Sequence, residues 1–118
     1  MRSMKKRSKR EQRFEYRIRD ILESKGFLVI NCARSKPFDL VAIRNMLPVL
    51  IELKGAKTRY PEEQKQKQIE LCKATGNEFV VIKQSKKKGK IRIEEGLDLG
   101  YGTRERLKQE LSEYLESK

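Results

Sequence analysis

The 118-residue chain predicts a single α/β domain with a central mixed five-stranded sheet flanked by helices. Three observations predict it. Dense apolar runs at 27–30, 38–43, 47–53 and 79–82 have the length and β-branched content of strands. Stretches with apolar residues at helical spacing stand before, between and after them. The resulting order, helix, three strands, helix, two strands, helix, suits a sheet whose faces are covered by helices.

Length leaves room for one core, so residues 1–118 are read as one domain. Within it, 1–8 is a basic flexible N-terminus and 103–118 a C-terminal helix that packs on the core or on a second subunit. Hydrophobic content is only 36%, so the core must be compact, and a unit this small is expected to lean on a partner subunit.

The first helix is expected from about Ser8 to Lys25, because Phe14, Ile18, Ile21 and Leu22 form one stripe and Gly26 is a natural stop. Glu15 borders that stripe, so its carboxylate leans towards whatever the helix covers; a plain pairing with Arg19 at i+4 explains it equally simply. Phe27–Ala33 reads as the first strand, Phe38–Arg44 as the second and Val49–Lys54 as the third, with 45–48 as a short hairpin connection. Pro61 fits the first turn of a second helix that runs to about Thr75 and ends at Gly76 and Asn77. Glu78–Gln84 is the fourth strand, 86–90 a basic turn and Ile91–Ile93 a short edge strand. The glycine-rich stretch 96–102 leads to a last helix capped by Thr103, with Leu107, Leu111, Tyr114 and Leu115 on its apolar face.

Composition narrows the chemistry. The net charge of +12, from 29 Lys and Arg against 17 Asp and Glu, favours a polyanion partner and salt-sensitive binding. A merely Lys-rich surface has the same balance, since charge speaks to partners and not to fold. The chain has no histidine, which excludes Ser–His triads, histidine general bases and imidazole zinc sites. Carboxylates, lysine, tyrosine and a hard metal are left. Cys32 and Cys72 are far apart and form no CxxC pair, as expected of reduced intracellular thiols. With no segment apolar enough to cross a bilayer and no signal-peptide core, a cytoplasmic location is expected.

Against that background, Asp39 and Glu52-Leu53-Lys54 stand out, because each charge borders an apolar strand where a carboxylate is costly unless compensated. With a turn flanked by Asn45 and Pro48, Asp39 falls opposite Lys54 with Glu52 as its diagonal neighbour, and all three share one face. Val49, Ile51 and Leu53 take the other. Asp39 and Glu52 would hold Mg²⁺ or Mn²⁺ together with the Leu53 carbonyl, and Glu15 would add a ligand directly or through water. Such a metal lowers the pKa of a bound water and offsets charge on a scissile phosphate. Lys54 would orient that water or help deprotonate it. A surface salt bridge of Lys54 with Glu52 or Asp39 is the plain alternative.

Glu15, Asp39 and Glu52-Leu53-Lys54, on this order of elements, resemble the PD-(D/E)XK nuclease superfamily, and more closely its archaeal-type Holliday junction resolvases. Glu15 precedes Gly26-Phe27 by eleven residues, an interval shared with that family. Arg34-Ser35-Lys36-Pro37-Phe38-Asp39 is similar to its serine loop and Pro-Asp strand start, although Phe38 separates proline from aspartate and the loop lacks glycine. Tyr60, Gln68-Ile69-Glu70-Leu71 and Phe79-Val80-Val81-Ile82-Lys83 fit the elements that follow, so the resemblance spans about 9–84. It implies a restriction-endonuclease-like fold and a Mg²⁺-dependent homodimer that cuts paired strands of a four-way DNA junction, leaving 5′-phosphate ends. It further implies phosphate contacts from Arg10, Arg34, Lys36, Lys57, Arg59 and the turn carrying Lys86, Lys87 and Lys88, with Ser35, Tyr60 and Gln68 near the scissile phosphate. A related nuclease of flaps or linear duplex, a non-catalytic basic nucleic-acid binder and a protein-interaction module using the last helix are the alternatives.

Overall fold

A computed structural model describes residues 9–32, 37–85 and 90–116, with all their side chains except those at 94 and 113–116. Three helices, α1 (Lys9–Ser24), α2 (Glu62–Thr75) and α3 (Thr103–Glu116), accompany five strands, β1 (Leu28–Asn31), β2 (Leu40–Arg44), β3 (Leu47–Lys54), β4 (Phe79–Gln84) and β5 (Ile91–Leu97). The strands lie in sequence order in one mixed sheet. β1, β2 and β3 are antiparallel neighbours, β3 and β4 run parallel, and β5 returns antiparallel to β4. A parallel step cannot be closed by a tight hairpin, and α2 supplies the crossover.

The alternation of β3 decides which helix meets which residue. Val49 and Ile51 face α1 and α3, joining Phe14, Ile18, Ile21, Leu22, Leu107 and Leu111 in the larger core. Leu50 points the other way, into the smaller cluster of Phe38, Cys72, Phe79 and Val81. Glu52 and Lys54 follow Leu50 at the strand's period of two, so they lie on the α2 face. α2 stops at Gly76, whose φ of 70° lets its N–H turn back to the Cys72 carbonyl.

Several local expectations are corrected. The hairpin turn is only Asn45 and Met46, at φ 56° and 66°, with Arg44 paired to Leu47. Positive φ at both central residues matches the twist of the flanking strands; asparagine signals it, whereas methionine does not. The register is therefore Leu40 with Ile51, two residues from the one expected. An even shift leaves every side chain on its face, so Asp39 loses Lys54 as its opposite number but the site is not dispersed. β5 runs to Leu97 and not to Ile93, because Gly96, at φ 135°, lets the strand close on β4: a Cβ there would sit 2.1 Å from the Phe79 carbonyl oxygen. Thr103 is the first residue of α3, and the Gly102 carbonyl accepts its first bond, from the Arg106 N–H. β1 is shorter than expected at both ends, and Phe38 precedes β2 as a buried residue of the smaller cluster. Residues 1–8 and the side chains of Tyr114 and Leu115 lie outside what is described.

Candidate active site

The site begins where the β2–β3 ladder stops. Beyond the Leu40–Ile51 pair the Asp39 N–H still donates to the Ile51 carbonyl at 3.0 Å, but its carboxylate replaces the next rung: Oδ2 accepts the Leu53 N–H at 2.7 Å. The side chain is thereby locked beside Glu52. On its other flank the Asp39 carbonyl accepts the Cys32 N–H at 3.0 Å. Asp39, Glu52 and Lys54 are only 7%, 4% and 8% exposed, which sets them apart from an ordinary surface ion pair.

α2 completes the arrangement. Lys54 Nζ lies 3.3 Å from Glu52 Oε2. Gln68 Nε2 donates to Glu52 Oε1 at 3.0 Å and to the Pro37 carbonyl at 2.9 Å, and the Tyr60 hydroxyl donates to Gln68 Oε1. One turn earlier on α2, Gln64 Nε2 donates to Glu52 Oε2 at 3.2 Å and Gln64 Oε1 accepts from Lys54 Nζ at 3.2 Å. The Tyr60 ring lies 5.1 Å from Lys54 Nζ and 5.5 Å from Lys65 Nζ.

Burial, and next the charge of Asp39, push the Glu52 carboxyl above its ordinary value, while Lys54 opposes them. Burial and then Glu52 push the Tyr60 phenol up as well, which keeps it a neutral hydrogen-bond donor. Two buried carboxylates that repel each other, offering only oxygen, with one ammonium beside them, fit a hard divalent cation. Glu15 does not complete a three-carboxylate cage: among the described residues no group of three or more metal-ligating side chains is close enough to hold an ion. Glu15 is buried on α1, on the larger-core side of the sheet, where Asn31 Nδ2 donates to Oε2 and Asn31 Oδ1 accepts from Arg19 Nη1 at 3.1 Å. Asn31 pairs with Leu40, the residue after Asp39, so Glu15 is linked through Asn31 to the strand that follows Asp39.

Arg10 is exposed at the start of α1, and Lys57 and Arg59 are exposed in the connection that follows Lys54. Arg34, Ser35, Lys36, Lys86, Lys87 and Lys88 lie outside the described residues. Sequence reasoning missed Gln64 and Asn31. The signal for Gln64 was its position four residues before Gln68, hence on the same face of α2; nothing in the local pattern marks Asn31.

No family model matches the sequence, and no curated protein matches it. Among solved structures, the Holliday junction resolvase Hjc of Archaeoglobus fulgidus, an archaeal hyperthermophile, superposes with a TM-score of 0.58 at 22% identity, over 70% of this chain and 69% of that one. The fold is that of an archaeal Holliday junction resolvase. No helix among the described residues is long and apolar enough to cross a membrane.

Proposed function

We propose that this chain is a metal-dependent DNA endonuclease that resolves four-way junctions. The observation that carries the reading is the buried convergence of Asp39, Glu52 and Lys54 at one end of the sheet, in a fold similar to that of a junction resolvase. A structural salt bridge explains Lys54 and Glu52 but not a second buried carboxylate placed to repel the first.

Asp39, Glu52 and the Leu53 carbonyl would hold Mg²⁺ or Mn²⁺, with Glu15 contributing through intervening groups. When bound, the cation supplies charge compensation at the scissile phosphate and a more acidic water. Lys54 orients the attacking water and offsets negative charge that develops on the phosphate oxygens. Gln68 and Tyr60 hold Glu52 in place. Lys57 and Arg59, just beyond Lys54, would contact flanking phosphates, together with Arg10, Arg34, Lys36 and the 86–88 lysines, and Ser35 would help hold the scissile phosphate. These are position-fixing contacts that read no base, as a substrate distinguished by shape requires. Two such chains acting as a homodimer in the cytoplasm would cut paired strands and leave 5′-phosphates.

The test is nicking of a synthetic four-way junction, a flap and a linear duplex in Mg²⁺. Symmetrical nicking of the junction is expected, abolished by Asp39→Asn or Glu52→Gln while low-salt binding persists. Cutting of flaps alone would keep the chemistry and reject the junction; binding without any cutting would leave only a basic nucleic-acid-binding module.

A further inference from the structure

The two oxygens of Glu52 are held unequally. Oε1 is bound by Gln68, a residue only 3% exposed and tied at three points: Glu52, the Pro37 carbonyl and the Tyr60 hydroxyl. Releasing Gln68 would break three bonds at once, and the one to Glu52 lies fully buried, where an unpaired partner is costly. Oε2 is bound by Gln64 and Lys54, at 3.2 and 3.3 Å. Gln64 is half-buried, and its two hydrogen bonds both go to members of the site, Glu52 and Lys54. The orientation of its amide follows from chemistry, because an ammonium only donates and a carboxylate only accepts: the oxygen must face Lys54 and the nitrogen Glu52.

We propose that Gln64 is the positioning residue of this site. Its amide nitrogen covers Glu52 Oε2, an oxygen that Glu52 would have to free to hold a divalent cation, and its amide oxygen holds the Lys54 ammonium in place. Gln68 keeps the rest of the carboxylate fixed. Gln64 thus acts through Lys54, and it competes with the cation instead of supporting it. The inference rests on the nuclease reading above.

Three variants separate the roles: Gln64→Met, which keeps length but neither donates nor accepts strongly, Gln64→Glu, and Gln68→Met. Mn²⁺ binding to the DNA-free protein is measured by calorimetry, junction affinity in Ca²⁺, and nicking under single-turnover conditions. Gln64→Met should bind Mn²⁺ as tightly as the parent or tighter and bind the junction equally, yet nick ~10–100-fold more slowly, the scale of a misplaced reacting group. Gln64→Glu restores an acceptor for Lys54 and should recover part of the rate while tightening Mn²⁺ binding. Gln68→Met should weaken Mn²⁺ binding and lower the melting temperature. Parental nicking by Gln64→Met, or equal loss of Mn²⁺ binding in Gln64→Met and Gln68→Met, would overturn the proposal alone. A parent chain that neither takes up Mn²⁺ nor nicks would overturn the nuclease reading and this inference with it.

Discussion

Two buried glutamates, one on β3 and one just before β4, are held in opposite ways. Glu52, on β3, is surrounded by side chains: two amides and an ammonium. Glu78, just before β4 at the other end of the sheet, has its Oε2 filled by main-chain donors, the N–H groups of Leu99 at 2.7 Å and Tyr101 at 3.0 Å. Both are nearly sealed from solvent, at 4% and 3% exposure. Main-chain donors cannot leave unless the loop that carries them unfolds, whereas side-chain donors can swing away. Glu78 is therefore built to fasten the 98–101 loop ahead of α3, and Glu52 to change partners. Burial alone does not mark a functional carboxylate; between these two buried ones, the kind of donor does.

The largest expected effect tests the Glu52 side of that contrast. Glu52→Gln and Asp39→Asn should each slow junction nicking by ~1,000-fold or more, since the cation that offsets phosphate charge loses a ligand. Asp39→Asn keeps an oxygen for the Leu53 N–H and should move the melting temperature by no more than about 3 °C, whereas Glu52→Gln sets an amide N–H against the donors that now bind its oxygens and should lower it by about 4–8 °C, the scale of roughly 1 kcal/mol. Gel assays of junction cleavage, read beside thermal melts, check both halves. A variant that still nicks, or that fails to fold, would erase the distinction.

Glu78→Leu should do the reverse. It leaves the Leu99 and Tyr101 N–H groups without their acceptor, at a cost of about 3 kcal/mol, visible as a lower denaturant midpoint, while the folded fraction nicks at the parental rate. A loss at least as large, about 3–5 kcal/mol, is expected for Gly96→Ala, where a Cβ would meet the Phe79 carbonyl oxygen at 2.1 Å, backbone that cannot swing aside, and the φ of 135° is one that L side chains rarely adopt. Activity lost in step with stability in either variant would mean that the two ends of the sheet are not separable.

The Glu52 half of this contrast was legible in the sequence, the Glu78 half was not, and the missing part has a physical cause. Period-two alternation placed Glu52 and Lys54 on one face of β3 whatever the hairpin register, because the real register differs from the expected one by an even step. The apolar stripe of α1 was equally readable, from Phe14 to Leu22. What hid was carried by backbone that side chains do not advertise. Met46 gives no sign of its positive φ. Glu95 and Gly96 read as loop, yet they complete β5, because the glycine lets two backbones meet. Gln64 and Asn31 are polar residues whose role depends on tertiary neighbours, which periodicity cannot supply. Glu15 was placed correctly on the border of its stripe, but a helix face cannot say which side of the sheet it will cover.

The smallest expected effect sharpens the rule most, because it involves a carboxylate held by side chains and yet structural. Glu110 on α3 takes a two-pronged contact from Arg44, Nη1 to Oε1 at 2.7 Å and Nη2 to Oε2 at 2.5 Å. The same guanidinium donates to the Lys25 carbonyl at 2.9 Å and lies 4.0 Å from the centre of the Phe27 ring. The hydrogen bond from Arg44 holds the Glu110 carboxyl below its ordinary 4.5, the opposite direction from Glu52. A depressed carboxylate stabilises the fold above that ordinary value, and its contribution is lost as pH falls through the lowered one. Glu110→Gln should therefore cost about 1 kcal/mol or less near neutrality, and the gap to the parent should close in melts taken below pH 4.5. Nicking at neutral pH should not change. If instead the gap widened in acid, Glu110 would be a strained acid like Glu52. The mark of the active end would then be neither the donor type nor burial, but the second carboxylate, Asp39, set beside the first.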